Sequence, residues 1–211
     1  MENLVVVGVA FSDIIRIIDA INDKEKKINF LGFIDDKDEV QGKSFWGYPV
    51  LGKIDWLIEN KNNCLIVNTV ARTTKIRKFV HERLKKLKVN FTTLVHPDVD
   101  MRYNQCGVGV VICPGSKIGP NAVIGDQVMI GFNSVVGHDT EVGMLSFIAG
   151  GATVLSHVEV GEGVFFGSNS SCFPRVKIGS WSTVGMCSAV MTDVKPGSTV
   201  IGNIARPAFE K

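Results

Sequence analysis

The chain has 211 residues, of which 45% are hydrophobic and 21% charged, and a formal net charge of +2. That length holds one large domain or two modest ones, and so even a charge balance gives no footing for nucleic acid or an anionic membrane surface. No apolar run approaches the roughly 20 residues that span a bilayer. Met1-Glu2-Asn3 is not the basic start of a signal peptide and Leu4–Ala10 is too short for its apolar region, so a cytoplasmic protein is expected.

Leu4-Val5-Val6-Val7-Gly8-Val9 opens the chain as a short apolar run, which predicts a buried strand ending in a turn. Ser12 and Asp13 are good caps for a following helix through about Asn22, with Ile14, Ile15, Ile17, Ile18 and Ile21 as its apolar face. Phe30–Ile34 predicts a second strand, closed by Asp35-Asp36, and Cys64–Val67 a third. Thr73 or Thr74 should cap a basic amphipathic helix running to about Lys88, and Phe91–Val95 a fourth strand ended by His96-Pro97. Strand–helix–strand alternation implies a small parallel sheet with helices on its faces, a Rossmann-like α/β domain over residues 1–98. Such sheets bind ligands at the carboxyl ends of their strands, which points to the turn Gly8–Asp13 and to Asp35-Asp36. The turn has one glycine where a dinucleotide fingerprint has three, which argues against NAD or FAD. An acidic pair at the end of a second strand can instead hydrogen-bond ribose hydroxyls or a base edge, or be a solvated turn.

Beyond residue 100 the composition changes: residues 106–195 hold only four Lys/Arg and six Asp/Glu. Every sixth residue from Cys106 to Val190 is apolar, and the residue four places after each, from Val110 to Val194, is small or β-branched. A hexapeptide period is the signature of a parallel β-helix. The first and fifth residues of each unit point inward, and the fourth turns a corner that favours a positive φ. Gly109, Gly115, Asn121, Asn133, Asp139, Gly151, Gly163, Asn169 and Asp193 supply that chemistry. The 15 in-phase units fill residues 106–195 of a domain over residues 106–203, joined to the first domain by residues 98–105. The five cysteines contain no CxxC pair, and Cys106 and Cys172, at inward positions, are expected to be reduced and buried.

Val136-Gly137-His138-Asp139 is the one unit whose corner offers chemistry beyond scaffold. His138 is a third residue, outside the core, where a neutral imidazole can accept a proton. Asp139 could fix its tautomer and stabilise the imidazolium, or be an ordinary corner residue. If the units wind three to a coil, as in the left-handed β-helix proteins that this repeat resembles, Asn121, Asp139, His157, Arg175 and Asp193 should stack in one column, with rungs about 4.8 Å apart, so that Asp139 could pair with His138 or with His157. A metal hydrolase on the same scaffold, of the γ-carbonic anhydrase kind, needs three converging histidines. The repeat offers two, and no metal is expected.

On these features the chain resembles the hexapeptide-repeat acyltransferases, whose repeats wind as a left-handed β-helix with three units per coil, which implies five coils for the 15 units here. The α/β domain and the His-Asp unit narrow the resemblance to bacterial sugar acyltransferases of the NeuD/PglD type. It implies an N-acyltransferase that moves an acyl group, acetyl in the first instance, from acyl-CoA to the amine of a nucleotide-linked amino-deoxy sugar in surface glycan or O-antigen biosynthesis. By that resemblance His138 is the general base and Asp139 its helper. Gly8, Ala10, Phe11, Ser12, Asp35 and Asp36 hold the nucleotide-linked sugar, and Phe147, Ser156, Ser168 and Met186 contact acetyl-CoA or another acyl-CoA. The protein is then a homotrimer whose active sites lie between subunits. The resemblance leaves open whether the nucleotide is UDP, dTDP or GDP. A sialic-acid-type O-acetyltransferase and a non-catalytic nucleotide-sugar-binding β-helix are the alternatives.

The chain departs from the family pattern at several points. Phe147 stands where a histidine near the acyl group is usual, Gly131-Phe132 where Asn-Thr often precedes the catalytic unit, and Gly8 alone in place of a glycine-rich first turn. The closing Gly-x-Pro-Ala-Arg becomes Gly202-Asn203-Ile204-Ala205-Arg206.

Overall fold

In the computed structural model of this chain, described for residues 1–70, 73–204 and 206–207, the two architectures stand side by side. Ala205, in the altered tail motif, lies outside the described residues. The first domain runs β1 (Glu2–Val7), α1 (Ile14–Glu25), β2 (Ile28–Ile34), β3 (Ser44–Phe45), β4 (Tyr48–Gly52), α2 (Leu57–Asn60), β5 (Leu65–Asn68), α3 (Thr74–Lys86) and β6 (Asn90–Phe91). Its sheet has the order β3-β4-β2-β1-β5-β6, parallel except for the short edge pairing of β3 with β4.

The alternation of β1 shows why its sequence is apolar throughout. Leu4 and Val6 pack on one side of the sheet with Ile14, Ile17, Ile18 and Ile21 of α1. Val5 and Val7 face the other side with Leu57 of α2 and Val80 and Leu84 of α3. A strand covered on both faces has no polar side to show. Thr73 caps α3 by accepting from the Ile76 N–H at 3.2 Å. Asp13 occupies the N-cap position of α1 but makes no side-chain cap bond, contrary to the sequence expectation. The expected fourth strand is two. Asn90–Phe91 closes the first sheet, while β7 (Leu94–Val95) already pairs with Val111–Ile112 of the second domain.

From Gln105 to Val190 the chain forms fifteen two-residue strands that stack in three parallel sheets, the faces of a left-handed β-helix. Face 1 is built from Val111–Ile112, Met129–Ile130, Phe147–Ile148, Phe165–Phe166 and Thr183–Val184. Face 2 is built from Lys117–Ile118, Val135–Val136, Thr153–Val154, Ser171–Cys172 and Ala189–Val190. Face 3 is built from Gln105–Cys106, Val123–Ile124, Glu141–Val142, Glu159–Val160 and Lys177–Ile178. Each strand pairs with the one 18 residues on, as in Val135↔Thr153 and Glu141↔Glu159. The fourth residue of each unit from Gly109 to Cys187 has a positive φ, including Gln127, Leu145, His157, Arg175 and Trp181, so the winding imposes the left-handed corner even where the side chain does not favour it. Inside, Ile112, Ile130, Ile148, Val154 and Phe166 form the core. Four buried hydroxyls are satisfied along the stack: Ser116 donates to Gly131 O, Ser134 to Ala149 O, Thr140 to Leu155 O and Ser146 to Gly161 O, while the buried Ser182 hydroxyl has no partner among the described residues. Cys172 is buried but Cys106 is exposed, because it stands in the first coil, with no rung beneath it on face 3.

The first domain sits on face 1. Val111, Cys113 and Met129 share the α1-side core, and Phe11, Phe132 and Phe147 pack against it. The fully buried Arg77 of α3 reaches across, donating to Gln127 O through Nε at 3.1 Å and to Asn68 O and Val70 O at 3.1 and 3.2 Å. Its burial without a carboxylate partner pulls its pKa down to about 9.

Candidate active site

His138 and Asp139 turn the edge between faces 2 and 3, the edge opposite the face that carries the first domain. Their side chains are 50% and 39% exposed, and His138 Nδ1 lies 2.6 Å from Asp139 Oδ2. The Asn121 amide, one coil below, donates to the other carboxylate oxygen at 3.2 Å. The hydrogen bond from His138, and then that from Asn121, hold the Asp139 carboxyl below its ordinary pKa. An ionised carboxylate on Nδ1 places the ring proton there and leaves Nε2 as the basic nitrogen.

The corner column expected from the 18-residue coil is present, and it resolves the pairing. Asp139 bonds His138 and Asn121, while the His157 ring stands edge-on to that of His138, with centroids 5.1 Å apart at 85°. Ser156 lies directly above His138. A side chain on Gly137 would put its Cβ 2.5 Å from the Ser156 nitrogen, so glycine there lets the rungs close against each other.

Other residues named from the sequence fall elsewhere. Ser168 and Met186 stack one coil apart on the edge between faces 1 and 2, and Met186 is exposed. Phe147 lies on face 1, half-buried, with Phe165 edge-on at 5.6 Å. Gly8, Ala10, Phe11 and Ser12 form the turn after β1, where Gly8 takes φ +93°, and Phe11 stacks over Phe132 at 6.5 Å. Asp35 accepts from the Val9 N–H at 3.2 Å and the Lys37 N–H at 3.1 Å. Asp36 accepts from the Ile54 N–H at 3.0 Å and pairs with Arg83. Both carboxylates therefore brace the carboxyl edge of the sheet as well as lining it. The structure adds the end of β5 to this edge, where the Thr69 hydroxyl donates to Val7 O and Gly8 O at 3.0 and 3.1 Å. The strand order runs outward from β1 through β2 and then returns to β5, so the crevice of the sheet opens between β1 and β5. The signal in the sequence was the end of the third apolar run, at Asn68-Thr69.

Comparison with known proteins agrees with this architecture. Residues 121–156 match the family model described as bacterial transferase hexapeptide (six repeats). No curated protein matches the chain significantly in sequence. Among solved structures, the acetyltransferase domain of PglB from Neisseria gonorrhoeae FA1090 superposes with a TM-score of 0.86 at 24% identity, covering 98% of this chain and 100% of that one. It has also been solved with acetyl coenzyme A. A histidine-to-asparagine variant of perosamine N-acetyltransferase from Caulobacter crescentus, in complex with CoA and GDP-perosamine, gives 0.89 at 19% identity, covering 100% and 98%. WeeI from Acinetobacter baumannii AYE gives 0.84 at 22%, covering 98% and 100%. Among the described residues no helix is long and apolar enough to cross a membrane. Over its whole length, the chain shares the fold of these proteins: a small α/β sheet followed by a left-handed hexapeptide-repeat β-helix.

Proposed function

We propose that this protein transfers an acyl group, acetyl in the first instance, from acyl-CoA to the amino group of a nucleotide-linked amino-deoxy sugar. The observation that supports it most directly is the 2.6 Å contact between His138 Nδ1 and Asp139 Oδ2 at an exposed corner. An amine adding to a thioester carbonyl must shed a proton as the C–N bond forms. His138 Nε2 accepts it, and Asp139 stabilises the resulting imidazolium. The tetrahedral intermediate then expels CoA with rupture of the C–S bond, and the proton passes to the departing sulfur. In this reading a backbone N–H at the Ser156 corner binds the developing oxyanion.

In this reading the turn Gly8, Ala10, Phe11 and Ser12 with Asp35 and Asp36 receives the nucleotide-linked sugar, and Phe147, Ser168 and Met186 contact CoA. The protein works in the cytoplasm as a homotrimer, in glycan or O-antigen biosynthesis. Two features support shared sites. The turn and His138 occupy opposite sides of one β-helix. Above Gly137, the same corner position holds Leu155, Phe173 and Met191, which are 37%, 54% and 47% exposed, an apolar ridge beside His138 suited to burial against a neighbour.

The test is to incubate the protein with acetyl-CoA and UDP-, dTDP- and GDP-linked 3-amino and 4-amino sugars, following thiol release and product mass. Transfer to at least one amine is expected, with a fall of about 10²–10⁴-fold in His138→Ala, the usual contribution of a positioned base. No thiol release with any of these sugars, transfer to hydroxyls alone, or full activity in His138→Ala would each overturn the reading.

A further inference from the structure

We propose that His138, Asp139 and His157 also form a binding site for a transition-metal ion of the Zn²⁺ type, and that occupancy of this site switches the transferase off. Each of the three side chains offers a ligand atom, and these atoms all lie within 4.8 Å of one another. A metal of this class draws imidazole nitrogen and carboxylate oxygen to about 2.0–2.2 Å, so small side-chain rotations bring the three onto one ion.

The backbone presents the ligands together. Asp139 and His157 both sit at left-handed corners, with φ of +55° and +60°. They are one coil apart, and the His157 N–H donates to His138 O at 3.1 Å. The Asn121 amide holds Asp139 Oδ1 and acts as the outer hydrogen bond that orients a metal-bound carboxylate, while Oδ2, which lies 2.6 Å from His138 Nδ1, exchanges that ring proton for the cation. The backbone column continues upward to Arg175, one coil beyond His157 on the side away from Asp139. All three ligands are exposed, which leaves remaining coordination positions to water.

Imidazole suits Zn²⁺, Cu²⁺ and Ni²⁺, while Mg²⁺ and Ca²⁺ prefer oxygen donors, so the site discriminates between these groups. The consequence for chemistry is direct. An ion drawing on the His138 lone pair removes the base that the amine needs, and the ion competes with the proton for the ring.

The inhibitory half rests on the acyltransferase reading, while the binding half does not, and the experiment separates them. Zn²⁺ and Mg²⁺ binding is measured by equilibrium dialysis with elemental analysis on the full chain, for wild type, His157→Ala and Asn121→Ala. Co²⁺ replaces Zn²⁺ for visible spectra, because the exposed Cys106 and Cys187 thiols would betray themselves by a thiolate charge-transfer band. The expected result is a single Zn²⁺ per chain in wild type, no Mg²⁺, a Co²⁺ spectrum without that band, and loss of the ion in His157→Ala. In the transferase assay, His157→Ala keeps its turnover without added metal and needs at least about tenfold more Zn²⁺ for half-inhibition. Zn²⁺ bound equally by wild type and His157→Ala, no Zn²⁺ bound by wild type, or a thiolate-dominated spectrum overturns the site. If Zn²⁺ binds as expected but no transfer is found with any sugar, the site stands and the function reading falls.

Discussion

At the scale of single residues, the position that matters most is one where two demands coincide. Asp139 must adopt φ +55° to turn the corner, and aspartate and asparagine both tolerate that region. It also sets the tautomer of His138. The substitution Asp139→Asn separates the two, because asparagine keeps the corner while removing the charge. We expect an unchanged melting temperature and a kcat lower by on the order of 10–10³-fold, the range in which loss of the carboxylate behind a catalytic histidine falls at or below its extreme. Unchanged turnover would reduce Asp139 to a corner residue. The exposure of His138 and Asp139 was legible in the sequence, because the six-residue phase assigns each side chain an inside or an outside. Which histidine Asp139 prefers was not, since stacking alone puts His157 and His138 equally near. The choice depends on rotamers, and the Asn121 amide fixes them from below.

At the scale of elements, periodicity succeeded where it was long and failed where it was short. Fifteen repeats outvote any single exception, so Leu145, Arg175 and Trp181 take left-handed corners despite their side chains. The first domain has no such redundancy. The pairing of Ser44–Phe45 with Tyr48–Gly52 rests on strands too brief to show a pattern, and the run Phe91–Val95 conceals a passage from one sheet to another. Cys106 shows the same limit, because its phase predicts an inward position but not the absence of a coil below. The joint between the domains is likewise tertiary. Arg77 lies among basic residues of α3 and reads as one more surface charge, yet it is wholly buried and donates to carbonyls on both domains. Arg77→Ala leaves those carbonyls without donors and opens a cavity, so a loss of roughly 2–5 kcal/mol is expected in denaturant unfolding. Arg77→Lys should recover only part of it, because an ammonium cannot fork between separate acceptors. A midpoint unchanged in Arg77→Ala would show that the joint is held by the apolar contacts of Val111, Cys113 and Met129 alone.

At the scale of the whole molecule, the two halves of the proposed site face apart. The first domain covers face 1, and its turn meets Phe132 near the edge that also carries Ser168 and Met186. His138 stands on the edge between faces 2 and 3, below the ridge of Leu155, Phe173 and Met191. Side chains at a β-helix corner cannot reach around the prism, so one chain cannot bring its own turn to its own base. If the nucleotide-linked sugar bound at the turn is acylated with the help of a neighbour's His138, two inactive variants should restore each other. Phe11→Asp introduces a charge at the turn and His138→Ala removes the base, so each homo-oligomer should be inactive. Co-expressed, they should form mixed oligomers in which some turns with native Phe11 face a native His138 from the other variant, and thiol release from acetyl-CoA should return. Adding Phe173→Asp to both should abolish that recovery while lowering the assembly mass measured by light scattering, because it places a carboxylate in the ridge that the neighbour would bury. Recovery is the outcome that a site contained in one chain cannot produce. Mixed oligomers that form but stay inactive would show that the base and the turn belong to separate sites.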